Sequence, residues 1–113
     1  MWKLDGTTLS NKANIWISTD KWALITIDVS IKEAKKQSID GTRVYIKNIS
    51  NETVFGITYE NTVIEQALVK QSAGQVWEKG KPNKDGYFNI TNPLTKLALT
   101  AISVDCLEMK GMN

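Results

Sequence analysis

Residues 44–61 read VYIKNISNETVFGITYEN, two runs of β-branched and aromatic residues around a polar turn. Val44 and Ile46 on one side, and Val54, Phe55, Ile57 and Tyr59 on the other, suit a pleated half-buried surface, whereas Asn, Ser and Glu between them suit a turn. The stretch predicts a β-hairpin, and it raises the question of whether such hairpins carry chemistry or only surfaces.

The neighbouring segments extend the pattern. In WALITIDVSI the residues Ala23, Ile25, Ile27, Val29 and Ile31 alternate with Thr26, Asp28 and Ser30, the signature of a half-buried strand. In ANIWIS, Ile15 and Ile17 alternate with Asn14, Trp16 and Ser18, and TDK at 19–21 supplies a turn, so residues 14–31 predict a second hairpin with Trp16 on its outer face. KEAKKQ is the one helical turn expected. RVYIKN, ETVFGITY, TVIEQALVK, a short run at Val76 and Trp77, GYFNITNP and KLALTAISV follow as strands, with Leu97, Leu99 and Ala101 sharing a face and the near-apolar 97–104 run central. Pro82 and Pro93 fall in turns, where a missing N–H breaks no ladder.

With 113 residues this is one domain, 1–113, large enough for a single core. Hydrophobic residues at 42% and charged residues at 23% are ordinary for a globular protein. Many short strands without a crossover-length helix predict an all-β domain, a β-sandwich or jelly roll of about seven to nine antiparallel strands. A β-trefoil is the alternative: Asp-Gly recurs at 5, 40 and 85, and Gln75-Val76-Trp77 matches the Gln-X-Trp of ricin-type lectins, although the spacings are unequal.

The 14 basic and 12 acidic residues are scattered rather than striped, which argues against a nucleic-acid partner. No apolar run approaches the ~18 residues a membrane span requires, and MWKLDGTT lacks the pattern of a secretory signal. Without histidine, triads and the commonest neutral-pH base are unavailable. Cys106 has no basic neighbour to make it a thiolate and reads as a small hydrophobe. Asn83, Asp85 and Asn89 lack the spacing of a calcium loop and read as turn residues. No catalytic residue, cofactor or metal ligand is expected. The sequons at Asn48, Asn51 and Asn89 read as chance occurrences.

Four tryptophans, Trp2, Trp16, Trp22 and Trp77, are many for so small a core. They admit three roles: core, protein interface or stacking platform for a sugar. Trp16, Trp22 and Trp77 are the interface candidates, joined by Arg43 and Tyr45, which alternation places opposite Val44 and Ile46. Trp77 and Tyr87, flanking the KPNKDG loop, are the candidates for a surface glycan.

Residues 42–104 resemble small virion proteins of tailed bacteriophages of the head-decoration, head-fibre and tail type. The resemblance lies in the succession VYIKN, polar turn, VFGITY, AGQVWEKG, GYFNITN and LALTAIS, and MWKLDGTTL resembles the starts of phage tail proteins. It implies a non-enzymatic structural subunit, made in the host cytoplasm and placed in the virion, whose partners are other copies of itself or other virion proteins. The rival is a carbohydrate-binding module or lectin.

Overall fold

Strand β4 (Thr42–Asn48) contains the start of the deciding stretch, and its alternation sorts inside from outside. Val44, Ile46 and Asn48 are buried while Arg43 is exposed and Tyr45 and Lys47 are half-buried. The hairpin expected at 44–61 forms over 44–57: β4 turns at 49–53 into β5 (Val54–Ile57), with Lys47 opposite Val54, whereas Tyr59, expected in the second strand, is exposed in the turn that follows. Asn48 N donates to Thr53 O at 2.8 Å and Glu52 N to Asn48 O at 2.9 Å, with Glu52 at φ 62.

This computed structural model describes residues 1–13, 15, 16, 18–27, 42–70, 72–103 and 106–111. The expected helical turn KEAKKQ, the Asp40-Gly41 turn, and Asn14, Ile17, Asp28, Val29, Ser30, Ile31 and Val104 lie outside the described residues. Those described contain β1 (Trp2–Asp5), β2 (Thr8–Asn11), β3 (Trp22–Thr26), β4 and β5 as above, β6 (Thr62–Gln66), β7 (Trp77–Lys79), β8 (Ile90–Thr91), β9 (Ala98–Ser103) and β10 (Cys106–Lys110). The chain is all-β, as the alternation predicts. Its main sheet closes on itself, running β4-β5-β6-β10-β9-β8-β7 and back to β4, a ring of seven strands. The form is therefore a barrel, where a sandwich or jelly roll was expected. A trefoil's three equal units cannot be drawn from a ring of seven.

Closure depends on β4 serving three partners. β3 lies along residues 44–48, with Ile27 N donating to Arg43 O at 3.0 Å and Ile49 N to Lys21 O at 2.8 Å. The remaining hydrogen-bonding capacity is divided: β5 takes Lys47, and β7 takes Thr42–Val44. The hairpin of β1 and β2 turns at Gly6, whose φ of 62° suits a residue without Cβ. It is tied to the barrel by paired hydrogen bonds between Trp2 and Phe88, of 2.7 and 2.8 Å, and by Trp22 N to Thr7 O at 2.9 Å.

Two expectations fail in the same way. Trp22–Thr26 pairs with β4, not with residues 15–18, and its register puts Trp22 against Asn48 and Leu24 against Ile46. The Trp22 and Leu24 face therefore turns inward, and Ile25 is 44% exposed. Likewise Ile15 is 41% exposed while Trp16 is 7% exposed. In both segments an indole and an isoleucine compete for the core, and the larger apolar surface wins. The run expected to be central forms β9, which pairs with β8 on one side and β10 on the other, and β10, unforeseen, inserts between β6 and β9 with Leu107 and Met109 buried.

The core is aromatic at its centre. The Trp16 ring lies 5.4 Å from Trp2, 5.8 Å from Trp22 and 6.1 Å from Phe55, in edge or tilted arrangements, and Trp22 lies 4.6 Å from Phe55. These are geometries the ring quadrupole favours. Buried indole N–H groups need acceptors; Trp2 Nε1 donates to Leu99 O at 2.9 Å and Trp77 Nε1 to Phe55 O at 3.1 Å.

Gln75 explains the trefoil-like Gln-X-Trp without a trefoil. Its buried amide accepts from Val69 N at 2.8 Å and donates to Ala67 O at 2.9 Å and Gln66 Oε1 at 3.0 Å, fastening the chain that leaves β6. Gly56 makes room for this arrangement, because a Cβ there would overlap the Gln66 side-chain amide. Gly56→Ala should displace Gln66 from Gln75 and cost about 1–3 kcal/mol, seen as a lower denaturant midpoint; an unchanged midpoint would show that Gln66 relocates freely.

Candidate functional site

A buried asparagine on an inward face must find partners for its amide or forfeit about 1–3 kcal/mol. Asn48 meets this demand by gathering residues distant in sequence. Its register opposite Trp22 turns it to the core side, where it is fully buried. Its Nδ2 donates to Asp20 Oδ2 at 3.1 Å and to Glu65 Oε1 at 2.8 Å, while its Oδ1 accepts from Ser50 N at 3.0 Å. Glu65 is presented by β6, opposite Phe55 and so on the same face as that core ring. Asp20 is set by Ser18, whose hydroxyl oxygen accepts from Asp20 N at 3.1 Å and from Trp22 Nε1 at 3.2 Å. Thr53 Oγ1 donates to the same Glu65 oxygen.

The result is a cleft of about 460 Å³ lined by Asp20 and Glu65, by Ser18 and Thr19, by Trp16, Trp22 and Phe55 beneath, and by Ile64 and Leu107 at one side. Two carboxylates face it and no basic residue among the described ones lines it. Both acids are exposed as residues, so they meet water and any incoming group. Because both oxygens bond one nitrogen, they lie within about 6 Å of each other. Such a pair attracts a cation, and an ammonium or guanidinium is of a size to bridge it.

The six residues singled out from sequence separate into two groups. Trp16, Trp22 and Trp77 are 7%, 2% and 0% exposed, so the expected outward Trp16 is corrected to a core residue. Trp77 presents no ring face on which a sugar could stack. Trp16 and Trp22 come together beneath the cleft, whereas Trp77 is anchored on β5 through Phe55 O. Arg43 and Tyr45 do lie on the outer face of β4, opposite buried Val44 and Ile46, as alternation placed them. Tyr87 stands apart, half-buried, with Lys3 Nζ 5.5 Å and Lys12 Nζ 5.9 Å from its ring centroid. Asn83 Oδ1 accepts from Asp85 N at 2.9 Å and Tyr87 N at 3.0 Å, a turn-forming use of that side chain.

Sequence reasoning did not single out Asp20, Asn48 or Glu65. Asn48 is the first residue of a sequon, yet its complete burial leaves no room for a glycan; Asn51 and Asn89 are exposed. No local pattern joins residues 28 and 17 positions apart; only the β3–β4 and β5–β6 registers do. Compared with protein-family models, curated proteins and solved structures, the chain matches none.

Two variants test this geometry. Trp16→Ala should lower stability by roughly 3–5 kcal/mol through a core cavity, measured by denaturant unfolding; a loss below 1 kcal/mol would mean the ring is not packed as described. Asn48→Asp should cost more at neutral pH than Asn48→Ala, because it places a third carboxylate beside two. That carboxyl's folded pKa would stand above its unfolded one, so stability should recover as pH falls through the carboxylate range. A pH-independent difference between the two variants would contradict the shared-amide arrangement.

Proposed function

We propose that this chain is a non-enzymatic structural subunit that self-associates within a larger particle, a bacteriophage virion. In this reading the closed barrel serves as the rigid body expected of a sandwich or jelly roll, and one outer face carries the contacts. The observation that carries the proposal is the surface of β4. Its outward residues border two grooves, one of about 330 Å³ formed by Ile25, Tyr45, Val54 and Leu68 with Lys47 and Glu52 at its rim, the other of about 320 Å³ formed by Arg43, Ala73, Val76, Pro93 and Leu94.

Apolar surface of this kind gains free energy when covered. Leu68 is 44% and Leu94 73% exposed, and the Tyr and Arg between them are residue types enriched where interfaces hold. The placement in a phage particle is supported by the resemblance of residues 42–104 to small virion proteins. A surface glycan is the rival partner, and with Trp77 inside the core its case rests on Tyr87.

Light scattering over a concentration series tests the reading. The wild-type chain should rise above monomer mass with concentration, and Leu94→Glu, at a position 73% exposed, should hold it nearer the monomer while changing unfolding stability by no more than about 0.5 kcal/mol. A wild-type monomer at every concentration would overturn self-association.

A further inference from the structure

The outer face of β4 and the Asp20–Glu65 cleft share no lining residue, yet their chemistry is complementary. Arg43 is the sole arginine of the chain. It is exposed, and it rises among Val76, Pro93 and Leu94. Its cross-strand neighbour is Glu78, but among the described residues the one ion pair is Lys47 to Glu52, at 3.8 Å. Among the described residues no carboxylate lies within ion-pair distance of the guanidinium, which borders Val76, Pro93 and Leu94 on one side. The cleft is the converse: two carboxylates, an apolar wall that includes Ile64 at 50% exposure, and no basic residue among the described ones that line it.

Building on the assembly reading, we infer that Arg43 of one copy enters the Asp20–Glu65 cleft of the next. A guanidinium carries five donors in a planar fork, suited to two carboxylate oxygens about one nitrogen's reach apart. Asn48 holds those oxygens in place before the partner arrives, which lowers the ordering cost of the contact. Leu94 and Pro93 beside Arg43 would cover Ile64 and the adjoining apolar lining, so charge and apolar surface are buried together. The contact joins two different patches, so it is heterologous, and repeating it yields a ring if the rotation closes and a filament if it does not. Both outcomes suit a subunit of a larger particle.

The test uses two variants of the full chain. Arg43→Glu breaks the arm and leaves the cleft intact. Asp20→Asn with Glu65→Gln removes the cleft's charge yet keeps an amide oxygen for Asn48 at each position. Each alone should associate roughly tenfold or more weakly than wild type, the scale of an interface hot spot. Mixed in equal amounts they should form dimers and stop there, because one good arm meets one good cleft and no free pair is left. Wild-type association that survives in either variant, or a mixture that stays monomeric, overturns the contact. A wild-type chain that never associates overturns the assembly reading itself. A readout that needs no variant is the Asn48 side-chain amide resonance, which should shift with rising protein concentration; a resonance that stays fixed while the mass rises places the interface elsewhere.

Discussion

Everything in this molecule is arranged around the hydrogen-bonding needs of β4. A strand in a closed sheet must find partners for both edges, and β4 finds three: β3 along one edge, with β5 and β7 dividing the other. That division closes the ring of seven strands. It also sets the alternation that sends Val44, Ile46 and Asn48 inward and Arg43, Tyr45 and Lys47 outward. The cleft and the outer grooves are two consequences of one strand's placement: Asn48 at its end organises the carboxylates, and Arg43 near its start faces the solvent.

The core shows how composition is resolved into position. Trp2, Trp16, Trp22 and Phe55 form one contiguous aromatic group, and Trp77 lies in the same hydrophobic cluster. Tryptophans that appear excessive for a small domain are what fill the interior of a barrel whose strands are only two to seven residues long. Four polar residues among those described are buried with them, Asn11, Asn48, Gln75 and Asn92. Asn48 and Asn92 each satisfy their side-chain amides, Asn92 donating to Ala73 O at 2.8 Å and Val76 O at 3.0 Å and accepting from Leu94 N and Thr95 N at 3.1 Å. These bonds tie the turn that carries Leu94 to the chain at Ala73 and Val76.

The sequence made the all-β class, the 44–57 hairpin and the outward placement of Arg43 and Tyr45 legible, because alternation and turn chemistry are local. It misjudged the inward face at 22–26, where period-two alternation is satisfied by either face and only the register against β4 decides, and at 15–16, which lie outside any strand and are sorted by the packing of the Trp16 ring on Trp2, Trp22 and Phe55. The strand Cys106–Lys110 carried a readable signal in Leu107 and Met109 flanked by more polar neighbours. The barrel's closure through β4 and β7, and the meeting of Asp20, Asn48 and Glu65, had none. They are long-range pairings, and no window of adjacent residues contains them.

Hydrogen–deuterium exchange on the wild-type chain at low and high protein concentration tests most directly whether the two faces that β4 creates meet between copies. The account predicts slow exchange within β4 at both concentrations. On raising the concentration, added protection should be concentrated at residues 18–20, beside the cleft, and at 94–97, beside Arg43. Protection that is identical at the two concentrations while the mass rises, or that grows only at other parts of the surface, would contradict it.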